Sequence, residues 1–224
     1  MVRYTAYSAA AYQDDCGKPP FGSKIVKMFD DAETDTQATI FRDEKAKEVV
    51  LAFRGTSTPR DLDSDLAFAL VPLSSVGTDC PTCKVHNGFH AAYNSLAKPI
   101  AETLQSLDTC EDDWRVVVTG HSLGGGIAAI ATSSLVGLGL KVTETFTFGE
   151  PRNGDSEWAK YATSKMPDDK YYRVTHGNDG VPQIPPTLLG YVHHGPEYFQ
   201  SKEANNTAET TLKCEIDSPQ HGGW

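Results

Sequence analysis

The feature that most restricts this chain is a strand, a glycine turn and a helix written one after another. Residues 114–119 (Trp114-Arg115-Val116-Val117-Val118-Thr119) form a short β-branched run of the kind that fills the middle of a sheet covered on both faces. Gly120-His121-Ser122-Leu123-Gly124-Gly125-Gly126 follows, and residues 127–138 then read as an Ala-rich helix. Glycines on either side of Ser122 let the backbone pass through a strained turn without side-chain clash, which projects the Ser122 hydroxyl outward. The start of the next helix offers unpaired N–H groups and a positive dipole end to any negative charge that develops there. A Gly-rich turn without chemistry is the plain alternative, and the register of strand, elbow and helix speaks against it.

The remaining pattern repeats that alternation. Residues 9–12 sit in a helix-permissive segment, 36–42 alternate like a strand, and 48–53 form an apolar strand ending at Arg54-Gly55. Residues 87–107 carry Ala91, Ala92, Leu96, Ile100, Leu104 and Leu107 near helical spacing, with Pro99 expected to kink the helix. A strand at 142–148, a helix at 155–166 and a strand at 171–175 follow, whereas 187–201 is less regular. Strands alternating with helices predict an α/β fold with a mostly parallel central sheet. No repeat or linker interrupts the 224 residues, so one domain spanning 1–224 is expected.

Charge narrows the partners. With 20 basic against 30 acidic residues the chain carries −10, which phosphate backbones and anionic lipid repel, so no nucleic-acid partner is expected. No apolar run reaches the 18 or so residues of a transmembrane segment. The first residues lack a hydrophobic signal region, but the five cysteines favour a secreted chain whose signal peptide has been removed. Cys80 and Cys83 form the one CxxC. It has no second CxxC and no paired histidines to make a zinc site, and it lies in a Gly/Ser/Pro/Asp-rich loop, where a small structural disulfide is the better reading. Cys16 and Cys214 lie near opposite ends and could close most of the chain, which leaves Cys110 odd. The sequon Asn205-Asn206-Thr207 agrees with secretion.

A hydroxyl nucleophile needs a base, and the base needs an orienting carboxylate. In α/β-hydrolases these follow in the order Ser, Asp or Glu, His. Asp179 sits just past the strand at 171–175, in a turn that can hold a carboxylate. Four histidines lie downstream of Ser122 beyond the elbow. His176 precedes Asp179 and breaks the order, His221 lies three residues from the last, and His193 and His194 are adjacent and not separable from the residues alone. His121 is expected to be a buried structural histidine. For the oxyanion, the Leu123 N–H is one expected donor and Thr56, in the loop after the strand at 48–53, is the other. Residues 58–68, which contain Asp61-Leu62-Asp63-Ser64-Asp65-Leu66 and end at Phe68, read as a short lid over the site. Leu62, Leu66 and Phe68 are then its substrate-facing side chains.

These residues together resemble the secreted fungal class 3 lipases, including their feruloyl esterase branch. The likeness runs through six ordered blocks covering nearly the whole chain: Phe53-Arg54-Gly55-Thr56, Lys84-Val85-His86-Asn87-Gly88-Phe89, Val118 to Gly125, Thr147 to Arg152, Arg173 to Pro182, and Gly190 to Tyr198. The resemblance implies an α/β-hydrolase fold, Ser122 as nucleophile, Asp179 as orienter, and Thr56 with Leu123 as oxyanion donors. The family's Gly-aromatic-x-His-x-x-x-Glu-Tyr pattern implies His193 as base. The resemblance also supports bridges Cys80–Cys83 and Cys16–Cys214. In two respects the chain departs from the family: the lid lacks the usual Trp and is acidic, and family members run past the equivalent of Trp224, which implies a trimmed C-terminus.

The implied activity is hydrolysis of a carboxylic ester by a monomer with no metal or organic cofactor. An acylglycerol lipase working at an oil–water interface comes first. A feruloyl esterase that releases hydroxycinnamates from cell-wall polysaccharide is the alternative, favoured by the acidic lid. A catalytically dead lipid- or ester-binding module is remote, because no triad member type is missing.

Overall fold

The computed structural model describes residues 1–13, 17–56, 68–107, 113–167, 169–203 and 206–215. Cys16, Cys110, Asn205, His221 and the lid residues Leu62 and Leu66 lie outside these, and Phe68 alone of the expected lid lies within.

Apolar runs set the centre of the sheet. Strands β3 (Glu48–Phe53) and β6 (Arg115–His121) pair in parallel with Val50 opposite Val117, and both faces of each are covered. Val49, Leu51, Phe53, Val116 and Val118 enter one core, while Val50, Ala52 and Val117 enter the other, the period-2 alternation of a doubly buried strand. In the order of their chain positions the further strands are β1 (Lys24–Asp31), β2 (Thr36–Asp43), β4 (Leu70–Pro72), β5 (Lys84–His86), β7 (Val142–Phe148), β8 (Tyr171–His176), β9 (Glu197–Gln200) and β10 (Thr211–Cys214). Among the described residues the main sheet runs β1-β2-β3-β6-β7-β8-β9-β10, and β4 with β5 makes a small separate ladder. Its five middle strands, β3 to β9, are parallel; β1, β2 and β10 join antiparallel at the edges. This is the α/β-hydrolase arrangement expected, with a mostly parallel sheet.

Helices α2 (Asn87–Ser106), α3 (Leu123–Gly137) and α4 (Ser156–Lys165) cover one face and α1 (Val2–Ala10) the other. Helix α3 is buried along nearly its whole length, and its small residues let neighbours come close. A Cβ on Gly126 would stand 2.9 Å from the Phe89 ring of α2. Helix α2 runs unbroken through Pro99, whose half-buried position leaves the ring on the outer side.

Helix α1 starts seven residues earlier than the sequence suggests, and it has no side-chain cap. Tertiary packing supplies what local propensity does not. The Tyr4 ring stacks on Phe146 at 4.2 Å, and Tyr7 meets Phe41 at 5.2 Å. Arg3 reaches Asp43 and Glu48 at 2.6 Å each, the Tyr4 hydroxyl donates to Glu48 at 2.8 Å, and Ser8 bonds Thr119 at 2.8 Å. Glu48 is wholly buried and also pairs with Arg115, so one carboxylate ties α1 to the start of β3 and β6.

Cys80 and Cys83 are joined, and Asp79 N–H donates to the Tyr161 hydroxyl of α4, which pins that loop. Of the expected Cys16–Cys214 bridge, Cys16 lies outside the described residues, and Cys214 is a free, buried thiol. Its strand pairs Cys214 with Glu197 on β9, turning the sulfur inward at the sheet's edge, where burial raises its pKa.

Replacing Glu48 with Gln leaves the guanidinium groups of Arg3 and Arg115 without their shared anion. Because both arginines keep partial solvent contact, the expected loss is about 2 kcal/mol rather than the larger penalty of a fully buried pair. Urea unfolding monitored by circular dichroism should show a lower midpoint at an unchanged slope.

Candidate active site

All five parallel strands end on one edge of the sheet, and the polar residues singled out by the sequence gather there. Strand β6 passes directly into α3 through Ser122, whose φ of 56° and ψ of −126° lie in a region that side chains rarely occupy. The turn is held by its backbone: Ser122 N–H donates to Phe148 O at 2.9 Å, and Ser122 O accepts from Gly125 N–H at 2.9 Å. Ser122 is also the residue that caps α3, yet its side chain makes no capping hydrogen bond. A serine at that position ordinarily spends its hydroxyl on the helix. Here the strained backbone points it elsewhere.

Two glycines allow the elbow to close. A Cβ on Gly120 would collide with the Gly124 carbonyl. A Cβ on Gly124 would collide with the Phe53 carbonyl and stand 2.9 Å from the carbonyl carbon of Arg54. The end of β3 therefore lies backbone to backbone against the first turn of α3. This brings the half-buried Thr56 and Leu123, at the two sides of that contact, to the same edge.

Asp179 reaches the same edge from β8. Its N–H donates to His176 O at 3.1 Å and its Oδ1 accepts from Val181 N–H at 2.9 Å, after Asn178 takes a left-handed φ of 72°. The other oxygen, Oδ2, fills a notch at Gly149, just past the end of β7. A Cβ on Gly149 would stand 2.8 Å from that oxygen and 3.9 Å from the His121 ring, and Gly149 itself has a φ of +57°. His121 is not the buried residue expected. Its side chain is exposed, and its Nδ1 lies 2.8 Å from the hydroxyl of Tyr12.

The histidine expected as base, His193, is not among the hydrogen-bond partners of Ser122 or Asp179. His193 is buried behind this edge, with Nε2 donating to Pro182 O at 2.7 Å and Nδ1 unpartnered. Burial and the positive charges of Arg173 and Arg152 push its pKa far down, and neither Ser122 nor Asp179 is among its partners. His194 is equally committed. It donates to the buried Glu150 at 2.7 Å, which also accepts from Thr147 at 2.5 Å, Asn153 at 2.6 Å and Tyr171 at 3.1 Å. His86 caps α2 through Nδ1, His90 accepts from Ser74 N–H at 3.1 Å, and His176 bonds Lys202 O at 2.7 Å. Among the described residues, then, six histidines are engaged away from the Ser122 hydroxyl.

Apolar side chains are exposed around His86 and in the turn before Tyr191. Phe68 is 37% exposed and its ring stands 6.5 Å from His86, which in turn lies 6.1 Å from Tyr191. Leu188 and Leu189, in the turn before Tyr191, are 94% and 47% exposed. The sequence analysis did not single out Tyr12, Leu188 or Leu189. Exposed leucines after Pro185-Pro186 were a readable signal, whereas nothing local marks Tyr12.

Comparison with known proteins identifies a family and a fold. The model of the family Lipase (class 3) matches residues 50–189. The chain is 34% identical over 167 residues to secreted mono- and diacylglycerol lipase 1 of Fusarium solani, covering 75% of this chain and 48% of that protein. It is 34% identical over 200 residues to a lipase of Rhizomucor miehei, covering 87% of this chain and 52% of that one. The chain thus spans about half the length of these curated relatives. Among solved structures, mono- and diacylglycerol lipase from Aspergillus oryzae superimposes with a TM-score of 0.82 at 28% identity, covering 96% of this chain and 83% of that one. A mutant MDLA from Penicillium cyclopium gives 0.81 at 27% identity with the same two coverages.

The buried histidines carry a pH consequence. Burial pushes His86 down to about 4 and holds His193 well below the ordinary histidine value, so as pH falls below 6.5 the unfolded chain binds protons that the folded chain refuses. Folding stability is then present above pH 6.5 and falls as pH drops, by up to about 1.4 kcal/mol per pH unit for each such group. Denaturant titrations at pH 7 and pH 5 should show that loss. His193→Gln should start less stable at pH 7 and lose less on the way to pH 5.

Proposed function

Because this chain belongs to the class 3 lipase family, we propose that it is a serine carboxylic ester hydrolase that acts on acylglycerols through an acyl-enzyme on Ser122. The observation that carries this reading is the strained Ser122 backbone, with its hydroxyl withheld from helix capping at the N-terminus of α3. In the proposed reaction Ser122 Oγ attacks the ester carbonyl carbon and passes its proton to an imidazole. The N–H groups of Leu123 and Thr56 hold the oxyanion of the tetrahedral adduct, each worth about 10²-fold or more in rate. The imidazole returns the proton to the departing alkoxide, which leaves the acyl group on Ser122. Water, deprotonated by the same imidazole, then releases the acid. Asp179 keeps the imidazole in the tautomer that can accept the serine proton and balances its charge once it has done so.

His221 is the proposed base. It keeps the order Ser, Asp, His, whereas the ring of His193, which also keeps that order, is bonded to Pro182 O and that of His194 to Glu150. His221→Ala should lower kcat by about 10³-fold or more. His193→Gln should lose stability but keep kcat within a few-fold, and the reverse pattern would return the role to His193. Ser122→Ala should abolish turnover in a folded protein.

Acylglycerol is preferred as substrate because the relatives named for an activity are lipases, and the exposed Phe68, Leu188 and Leu189 supply apolar surface that an acyl chain could use. A cinnamoyl ester is the second reading, favoured by Asp61, Asp63 and Asp65 in the segment leading to Phe68. Initial rates on tributyrin taken through its solubility limit, beside methyl ferulate, separate the two. A rate that jumps as droplets form, with little ferulate turnover, is expected. Fast ferulate hydrolysis without a jump would sink the acylglycerol reading. Secretion is proposed on the Cys80–Cys83 bridge and on the relatives named as secreted, and a monomer as the working unit.

A further inference from the structure

The N-terminal segment reaches the site through one side chain. Tyr12, two residues beyond α1, is fixed in place by that helix: its N–H donates to Ala9 O at 3.2 Å, and α1 is itself tied to β6 through Ser8 and Thr119. The Tyr12 hydroxyl lies 2.8 Å from Nδ1 of His121, the residue before Ser122. Although His121 keeps solvent contact, desolvation of its ring by the groups packed on it lowers its pKa, against the opposing pull of the Asp179 charge, so Nδ1 can accept the phenol proton.

The same hydroxyl is wedged against the loop on the other side. A Cβ on Gly55 would collide with it, would stand 3.1 Å from Tyr12 Cζ, and would stand 2.5 Å from the His121 carbonyl. Burial raises the Tyr12 pKa and keeps the phenol protonated, with the nearby Gly55 N–H and the Arg54 charge working against that rise. Arg54 anchors the start of this loop, its guanidinium donating to the Asp35 carbonyl at 2.9 Å and to the Asp35 carboxylate at 2.5 Å. Arg54 N–H also bonds Gln37 O at 3.0 Å, but among the described residues no backbone–backbone hydrogen bond holds Gly55 or Thr56. The phenol therefore braces the backbone next to one expected oxyanion donor against the residue next to the elbow that carries the other.

We propose that Tyr12 is a positioning residue for ester hydrolysis: bonded to His121 and packed on Gly55, its hydroxyl holds the Gly55–Thr56 backbone at the spacing from Leu123 that lets two N–H groups grip one oxyanion. The inference rests on the serine hydrolase reading above. It assigns Tyr12 no contact with substrate and no proton transfer in the reaction.

A brace of this kind acts on the tetrahedral state and not on ground-state binding. The test uses Tyr12→Phe, which keeps the ring and removes the hydroxyl. Its readouts are kcat and KM on p-nitrophenyl butyrate, and the affinity for butylboronic acid, which forms a tetrahedral adduct on a catalytic serine. About a tenfold fall in kcat is expected with KM within twofold, and the boronate affinity should fall by the same factor, since a displaced donor is worth less than a deleted one. His121→Phe removes the same bond from its other end. It should reproduce the loss, and the double variant should be no worse than either single one. Unchanged kcat and boronate affinity in Tyr12→Phe, or losses that add in the double variant, would overturn the proposal. An unmodified protein that neither turns over the ester nor binds the boronate would overturn the hydrolase reading, and this inference with it; a working unmodified enzyme with an indifferent Tyr12→Phe overturns only the latter.

Discussion

The carbonyl of Phe53 and the carbonyl carbon of Arg54 occupy the space in which a side chain on Gly124 would begin. That contact between the end of β3 and the first turn of α3 fixes how the site's edge is assembled. It is possible because β3 and β6 are neighbours in a parallel pair, so both strands end together. It also requires Gly120 and Gly124, since any larger residue would separate the two backbones. The strain at Ser122 is held in place by the same packing: the Ser122 N–H is bonded to Phe148 on β7, and the turn has no room to relax toward β3.

Behind that edge the polar residues do structural work that resembles catalysis only in composition. Glu150 gathers four donors in a fully buried setting, and Arg173 is buried between the His194 carbonyl at 3.3 Å and Glu197 at 3.5 Å. Arg152 donates to the Gln183 carbonyl and, at 3.0 Å, to Pro185 O. These bonds fasten the long connection between β8 and β9 to the helix-covered side of the sheet. A buried carboxylate, two arginines and two histidines in one place would be costly unpaired, and nearly every group has found a partner. Ser122 differs in that its side chain makes no capping hydrogen bond to the helix it begins.

The part of the fold legible in the sequence was the part whose residues bury both faces. Strands at 48–53 and 114–119 and the elbow after them read directly, because apolar runs and glycines have few other uses. Strand β1 was missed because it is an edge strand with Lys24, Val26, Lys27, Met28 and Asp30 exposed, which leaves no alternation to see. Helix α1 was misplaced because its stability comes from Tyr4 and Tyr7 meeting residues more than 30 positions away. Strands β9 and β10 are four residues each, too short for a period to show. In the site, Ser122 and Asp179 were singled out from their positions after strands, and the structure brings both to one edge of the sheet. That the His193 ring turns to Pro182 was not legible, because chain order constrains which residue can follow which, but not which way a buried ring points.

The most direct test is covalent. A fluorophosphonate that reacts with activated serines, added in slight excess to the folded protein, should modify it once, and peptide mass spectrometry should place the adduct on Ser122. Absence of labelling in a folded sample, or an adduct on any other residue, would contradict the claim that the strained turn presents a catalytic nucleophile.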